Sequence, residues 1–214
     1  MSSRVPLARF FRSASAVEAG VDEAGRGALA GPVVAAAVVW NPLLDDPEVT
    51  QIRDSKRLTR AARERLRLYI EDNAVAWAVC EVGPAVIDRV NILNATFDAM
   101  HGALDKLELA LDGVVVDGDR FRAYVSPVTC DFVPHACVID GDDKYLAIAA
   151  ASVLAKTHRD QLMRDVLHPQ HPTYGWDHNV GYGSEDHMRV LRDSGPCSHH
   201  RMTFRPCRVT GAPS

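Results

Sequence analysis

The alternation of apolar and polar positions gives the first outline of this chain. An apolar segment from Ala16 to Asp22 and a β-branched run from Val33 to Trp40 flank a glycine-rich turn, Gly25 to Gly31. Asn41-Pro42 and Asp45-Asp46-Pro47 supply turn chemistry after the second run, so two antiparallel strands fit better than a helix. From Thr59 to Asn73, Ala62, Leu66, Tyr69 and Ile70 recur near helical spacing among Arg and Glu, with Thr59 placed to cap the helix. Val75 to Val82 alternates as a third strand, and Ile92, Phe97, Met100, Leu104, Leu107 and Leu111 mark a helix over Asn91 to Leu111. The run Gly113 to Asp117, G-V-V-V-D, suits a strand covered on both faces, and Ala136 to Asp140, A-C-V-I-D, repeats it. A helix with an Ala-rich start follows from Leu146 to Leu167, then a loop rich in His, Pro, Gly and aromatics over Pro169 to Gly183, then a short helix from Glu185 to Arg192.

Strands and helices in alternation predict one α/β domain over residues 16–209, its C-terminal part a loop-helix appendage. A basic lead-in over residues 1–15 and a tail over 210–214 are expected to be flexible. At 214 residues the chain is long enough for one proper core. Parallel strands present ligand sites beyond their carboxyl ends, and Asp22, Asp117 and Asp142 all occupy that kind of position.

Composition changes this picture only in places. With 47% hydrophobic and 24% charged residues, the chain is neither disordered nor fibrous in type. No run approaches the roughly 18 apolar residues of a membrane span, and the N-terminus lacks an apolar segment with a cleavage site, so a cytoplasmic protein is expected. Cys80, Cys130, Cys137, Cys197 and Cys207 are scattered and never in C-x-x-C spacing, which suggests neither a disulfide framework nor a structural zinc site. A formal charge of -4 means that a nucleic-acid partner must be held by a local basic face.

The candidate chemistry begins at Asp22-Glu23, immediately before Gly25-Arg26-Gly27. A single Asp after a strand is more often a turn or cap residue than a ligand. Several converging acids are another matter, because they raise each other's pKa values unless a cation neutralises them. Oxygen donors without Cys or clustered His favour Mg²⁺ or Mn²⁺ over zinc. G-R-G-A-L-A also fits the G-x-G-x-x-A fingerprint of dinucleotide-binding turns. That reading requires a helix to open at the glycines, whereas Pro32 and the run after it favour a strand, and Asp22-Glu23 would then face a pyrophosphate. The histidines match no helical ligand pair, so packing or surface roles are expected for His168, His171, His178, His199 and His200. Ser152 has no nearby His in the sequence, which suits a polar contact to backbone or nucleic acid rather than a nucleophile.

These motifs occur in a telling order. D-E-x-G-R-G stands at Asp22 to Gly27, D-S-K at Asp54 to Lys56, N-I-L-x-A-T at Asn91 to Thr96 and V-D-G at Val116 to Gly118. A-A-A-S-x-L-A-K at Ala149 to Lys156 precedes Arg159-Asp160, Gly181-Tyr182-Gly183 precedes His187, and His200-Arg201 precedes Phe204. Over about Ala19 to Phe204 the chain resembles bacterial ribonuclease HII, the type 2 ribonuclease H that cuts RNA joined to DNA. The resemblance implies a ribonuclease H-like mixed sheet flanked by helices, and an endoribonuclease acting on RNA-DNA hybrids and on ribonucleotides embedded in duplex DNA, as in ribonucleotide excision repair.

By the resemblance, Asp22, Glu23, Asp117 and Asp142 bind the catalytic metals, Mn²⁺ or Mg²⁺. Gly25, Arg26 and Gly27 face the 2′-hydroxyl, Lys56 and Lys156, with Lys144, contribute to a basic face, and Tyr182 stacks on the sugar of the following deoxynucleotide. A monomer is expected, and a contact with a replication clamp has no support in the sequence. Three departures stand out. Asp140-Gly141-Asp142-Asp143 replaces the usual Lys-Gly-Asp, so Asp143 competes with Asp142 for the fourth role. Val180 stands where the family has a lysine before Gly-Tyr-Gly, and the interval from Asp117 to Asp142 is long, with a surface hairpin or loop expected over Phe121 to Pro134. A module of the same fold that binds hybrids without cutting is the alternative.

Overall fold

The computed structural model describes residues 6–53 and 55–208. The first five residues of the lead-in, Asp54 of the D-S-K element, and the tail from residue 209 on lie outside the described residues. A five-stranded mixed sheet carries the architecture. Its strands are β1 (Glu18–Ala24), β2 (Val33–Val39), β3 (Ala76–Val82), β4 (Gly113–Asp117) and, after a separate two-stranded hairpin, β7 (His135–Val138). The spatial order is β3-β2-β1-β4-β7. β1 pairs antiparallel with β2 and parallel with β4, and β4 is parallel to β7.

Both faces of the sheet are covered, which is why β2 is buried at every position. Val33, Ala35, Ala37 and Val39 face the helix α3 (Ile92–Asp105), while Ala36 and Val38 face α1 (Arg60–Asn73) and α4 (Leu146–Gln161). Thr59 caps α1 by accepting from the Ala62 N–H, and Asn91, at φ 69, caps α3 by accepting from the Asn94 N–H. The small residues of α4 let it lie close on β1: a Cβ added at Gly20 would overlap the backbone of Ala147.

Several boundaries differ from the sequence-based expectation. β1 runs on to Ala24 instead of ending at Asp22, because β2 continues the ladder with Asp22↔Ala36, Glu23↔Ala35 and Ala24↔Val34. The acid pair therefore lies inside a strand. α3 stops at Asp105, and Glu108 turns the chain at φ 54. β7 is shorter than Ala136 to Asp140, since Asp140 adopts a left-handed conformation, φ 52, to open the turn Gly141–Asp143. The long C-terminal helix is α-helical to Gln161 and π-helical over Leu162–Leu167. The helix α2 (Pro84–Val90), starting on a proline behind Gly83, was not expected at all. The long connection after β4 does form a hairpin, β5 (Tyr124–Val125) with β6 (Phe132–Val133).

Residues of the expected lead-in lie against the domain: the Ala8 N–H donates to Lys144 O at 2.8 Å, and Arg9 Nη1 donates to Leu44 O at 2.7 Å. The C-terminal appendage has an apolar cluster of its own, with Leu29, Met163, Trp176, Val180 and Leu191 buried.

Candidate active site

Strand register brings the acids together. Val21 pairs with Val116 across the parallel β1/β4 ladder, so Asp22 and Asp117, one residue further along, emerge side by side. Successive residues of a strand point to opposite faces. Asp22 shares its face with Gly20, towards α4, and Glu23 shares its face with Val21, towards α3. Together they straddle the end of the sheet.

Asp22 is only 6% exposed. Burial, then the charges of Glu23 and Asp117, push its pKa well above the ordinary carboxylate range, against the opposing effect of a hydrogen bond with Ser152. Burial also raises Glu23, opposed by Arg26, whose Nη1 donates to Glu23 Oε1 at 3.0 Å. Arg26 is thus the ion-pair partner of a site carboxylate. Ser152 Oγ lies 3.0 Å from Ser55 Oγ, so its polar contacts are to side chains rather than to backbone.

Asp117 accepts from the Gly141 N–H at 2.7 Å and so anchors the turn that carries Asp142 and Asp143. Those two neighbours have different surroundings. Asp142 is 7% exposed, whereas Asp143 is exposed and pairs with Arg57 Nη2 at 2.7 Å. Among the described residues, no three His, Cys, Asp or Glu side chains close into a ready-made metal cage. The donor set is nonetheless all oxygen, and the raised Asp22 is what like charges crowded in a dry site produce. Both features fit a hard divalent cation.

A cleft of about 510 Å³ opens beside the acids. Asp22 and Glu23 form one wall, Gly25 to Gly27 another, and Lys56, Lys156 and Tyr182 the far side. Two cations lie near the Tyr182 ring, Lys156 Nζ at 5.4 Å and Arg159 Cζ at 5.3 Å from its centroid. Lys156 also pairs with Asp160 at 2.8 Å. Lys144 lies away from the cleft lining, with its Nζ donating to Ile139 O at 2.7 Å. A second hollow of about 330 Å³ shares Glu23 and Arg26 and adds Asp117, Phe97 and Arg120.

The Gly-Arg-Gly turn is shaped by two buried arginines for which the sequence suggested no role. Arg159 donates from Nε to Pro32 O at 3.0 Å, from Nη1 to Val180 O at 2.9 Å and from Nη2 to Ala30 O at 3.1 Å. Arg201 donates to Gly31 O at 3.1 Å, Arg26 O at 2.8 Å and Gly25 O at 2.7 Å. Both are fully buried, and burial pushes Arg201 down to about 9. The two glycines then differ. Gly25 has φ +91 and an added Cβ would overlap the Arg159 side chain, while a Cβ at Gly27 would meet nothing within 4 Å. Val180, in the place of the family's lysine, is buried with φ 43 and packs in the C-terminal cluster, its carbonyl held by Arg159.

The histidines divide between surface and core. His178 is exposed, while His187 and His200 are buried. The only signal that singled these two out was their place in motifs.

Known proteins share both the sequence and the fold. Residues 19–207 match the family model of ribonuclease HII. A ribonuclease HII of Bacteroides fragilis is 50% identical over 188 residues, 88% of this chain and 89% of that protein. The structure of the ribonuclease H2 from Pyrococcus horikoshii superposes with a TM-score of 0.72 at 26% identity, covering 89% of this chain and 95% of that one. The ribonuclease HII in a PCNA complex from Archaeoglobus fulgidus has the same fold, with a TM-score of 0.68 at 24% identity over 88% of this chain and 95% of that one. With the match spanning sheet, cleft and C-terminal appendage, this chain belongs to the ribonuclease HII family and is an endoribonuclease.

Proposed function

We propose that the protein hydrolyses the RNA strand of RNA-DNA hybrids and cuts on the 5′ side of ribonucleotides embedded in duplex DNA, leaving a 3′-hydroxyl and a 5′-phosphate. The observation that carries this reading is the cleft itself. Three mutually repelling carboxylates abut a Gly-Arg-Gly turn and a tyrosine with two cations near its ring. Asp22, Glu23, Asp117 and Asp142 would hold Mn²⁺ or Mg²⁺. Two such ions supply a water of lowered pKa and stabilise the departing 3′ oxygen of a phosphodiester.

The remaining steps belong to the chain's own side chains. Lys56 and Lys156 line the cleft and meet the phosphate backbone, offsetting the net negative charge of the molecule. Arg26, paired with Glu23, keeps that carboxylate turned to the site. The open space beside Gly27 admits the ribose edge, where the 2′-hydroxyl distinguishes RNA from DNA. Tyr182, 36% exposed, offers its ring to the sugar of the next deoxynucleotide and so reads the RNA-DNA junction. Asp142 is the fourth ligand in this reading because it is buried within the turn anchored by Asp117, whereas Asp143 is exposed.

The test is a labelled DNA duplex with one embedded ribonucleotide, incubated with Mn²⁺ or Mg²⁺. A single cut 5′ to the ribonucleotide is expected. An intact duplex after incubation with well-folded, metal-loaded protein refutes the reading.

A further inference from the structure

Behind Tyr182 lies a line of buried hydrogen bonds that the catalytic reading does not use. His187 Nδ1 is 2.9 Å from Tyr182 O, and a carbonyl can only accept, so Nδ1 carries a proton. His187 Nε2 lies 3.4 Å from Trp176 Nε1, whose indole N–H can only donate, so in the neutral ring Nε2 is the acceptor. His200 Nε2, 3.0 Å from His187 Nε2, must then be the donor. That leaves His200 Nδ1 to accept from the Cys197 N–H at 3.0 Å. Only one arrangement of protons satisfies all four contacts.

We propose that His187 is a positioning residue for Tyr182: a single proton order running Cys197, His200, His187, Tyr182 fixes the loop that presents the tyrosine ring to the RNA-DNA junction. The proposal rests on the junction-reading role given to Tyr182 above. His187 and His200 are 0% and 1% exposed, so water does not replace a lost partner, and an unmade buried hydrogen bond is costly. The ring of Tyr182 has Lys156 and Arg159 near it, and its main-chain carbonyl is held by His187, so the backbone from which the half-exposed ring projects is fixed. The groups around the pair favour neutral rings. Burial lowers His187, burial and His187 push His200 down to about 4, and His171, His199, Cys197 and Tyr174 packed alongside provide no carboxylate.

The experiment has two parts. Selective ¹⁵N labelling of histidine reports the tautomers in the unaltered protein. At neutral pH His187 is expected neutral with the proton on Nδ1, and His200 neutral with the proton on Nε2. A charged ring in the pair, or a proton on His187 Nε2, overturns the proposal. The second part compares cleavage at one embedded ribonucleotide with cleavage within a uniform RNA-DNA hybrid. His187→Leu is expected to lower that ratio about tenfold, the worth of one ordinary to strong hydrogen bond. His187→Asn keeps an N–H near the position of Nδ1 and is expected to restore most of the ratio. Equal loss on both substrates, or an Asn variant as poor as Leu, overturns the proposal. Tyr182→Ala separates two kinds of failure. A lowered ratio there beside an unchanged ratio in His187→Leu removes the positioning role alone. An unchanged ratio in Tyr182→Ala removes the junction reading and the proposal with it. Should His187→Leu not fold, the tautomers and the Asn variant still decide.

Discussion

Asp22 is a carboxylate held against its own ionisation. Its ordinary value of 3.8 is raised by burial and by Glu23 and Asp117, so the folded chain keeps a proton at pH values where the unfolded chain has lost it. Without metal, the contribution of Asp22 to stability is therefore greatest in acid and is lost as pH rises from 3.8 through the raised native value. Asp22→Asn removes this penalty. The metal-free variant is expected to melt higher at neutral pH, by roughly 2–4 °C for each kcal/mol relieved, and to show a shallower decline with pH. Its cleavage rate should fall at least about a hundredfold, from loss of one of the charges proposed to hold the metal. A scan of melting temperature against pH, with and without Mn²⁺, measures both effects. The glycines make a second pair of contrasts at this scale. Gly25→Ala meets Arg159 from a strained φ and is expected to cost about 1–3 kcal/mol in urea unfolding. Gly27→Ala meets nothing in the protein, so stability should be unchanged while cleavage at embedded ribonucleotides drops. Equal melting of both variants would contradict the packing described.

At the scale of elements, the close approach of α4 to β1 sets the depth of the cleft. Gly20 leaves the room for it, and α4 brings Ser152 to Asp22 and Lys156 to Tyr182. Gly20→Val is expected to force the two apart, costing about 1–3 kcal/mol and lowering activity without touching a cleft residue. Comparison of unfolding midpoint and cleavage rate in the same variant checks this. Elements were also where the sequence was most readable. Local periodicity placed α1 with its Thr59 cap, β2 and β4 closely, since each is set by which neighbours in the chain share a face. The acid pair was readable too, although its position within β1 was not, because that depends on how far β2 extends the ladder. Arg159 and Arg201 were opaque for a related reason. Nothing in a local pattern tells a buried arginine that binds carbonyls far away in the chain from one that faces solvent.

For the whole molecule, the formal charge of -4 and the cluster of acids oppose a polyanionic substrate, so binding must depend on a few local cations. Duplex affinity is expected to fall steeply with salt, and Lys156→Ala should reduce the slope of log affinity against log salt by about one unit. Binding isotherms at several salt concentrations measure that slope, and an unchanged slope would place Lys156 off the backbone path. No helix among the described residues is long and apolar enough to cross a membrane. The C-terminal appendage joins the sheet domain at the glycine turn, through the bond from the Leu29 N–H to Gly181 O at 2.8 Å, the bond from the Gly31 N–H to His199 O at 2.9 Å, and the two arginines.

The Arg201 staple has a consequence in time. Its guanidinium holds Gly25 O across 176 positions of sequence, near opposite ends of the described chain. During synthesis the acids and the glycine turn emerge well before Arg201, so the carbonyls of Gly25, Arg26 and Gly31 wait for this clamp, although Arg159 can hold Ala30 O and Pro32 O sooner. A chain halted before Arg201 would already hold every strand of the sheet and the site acids, yet would leave the turn beside them only partly fastened.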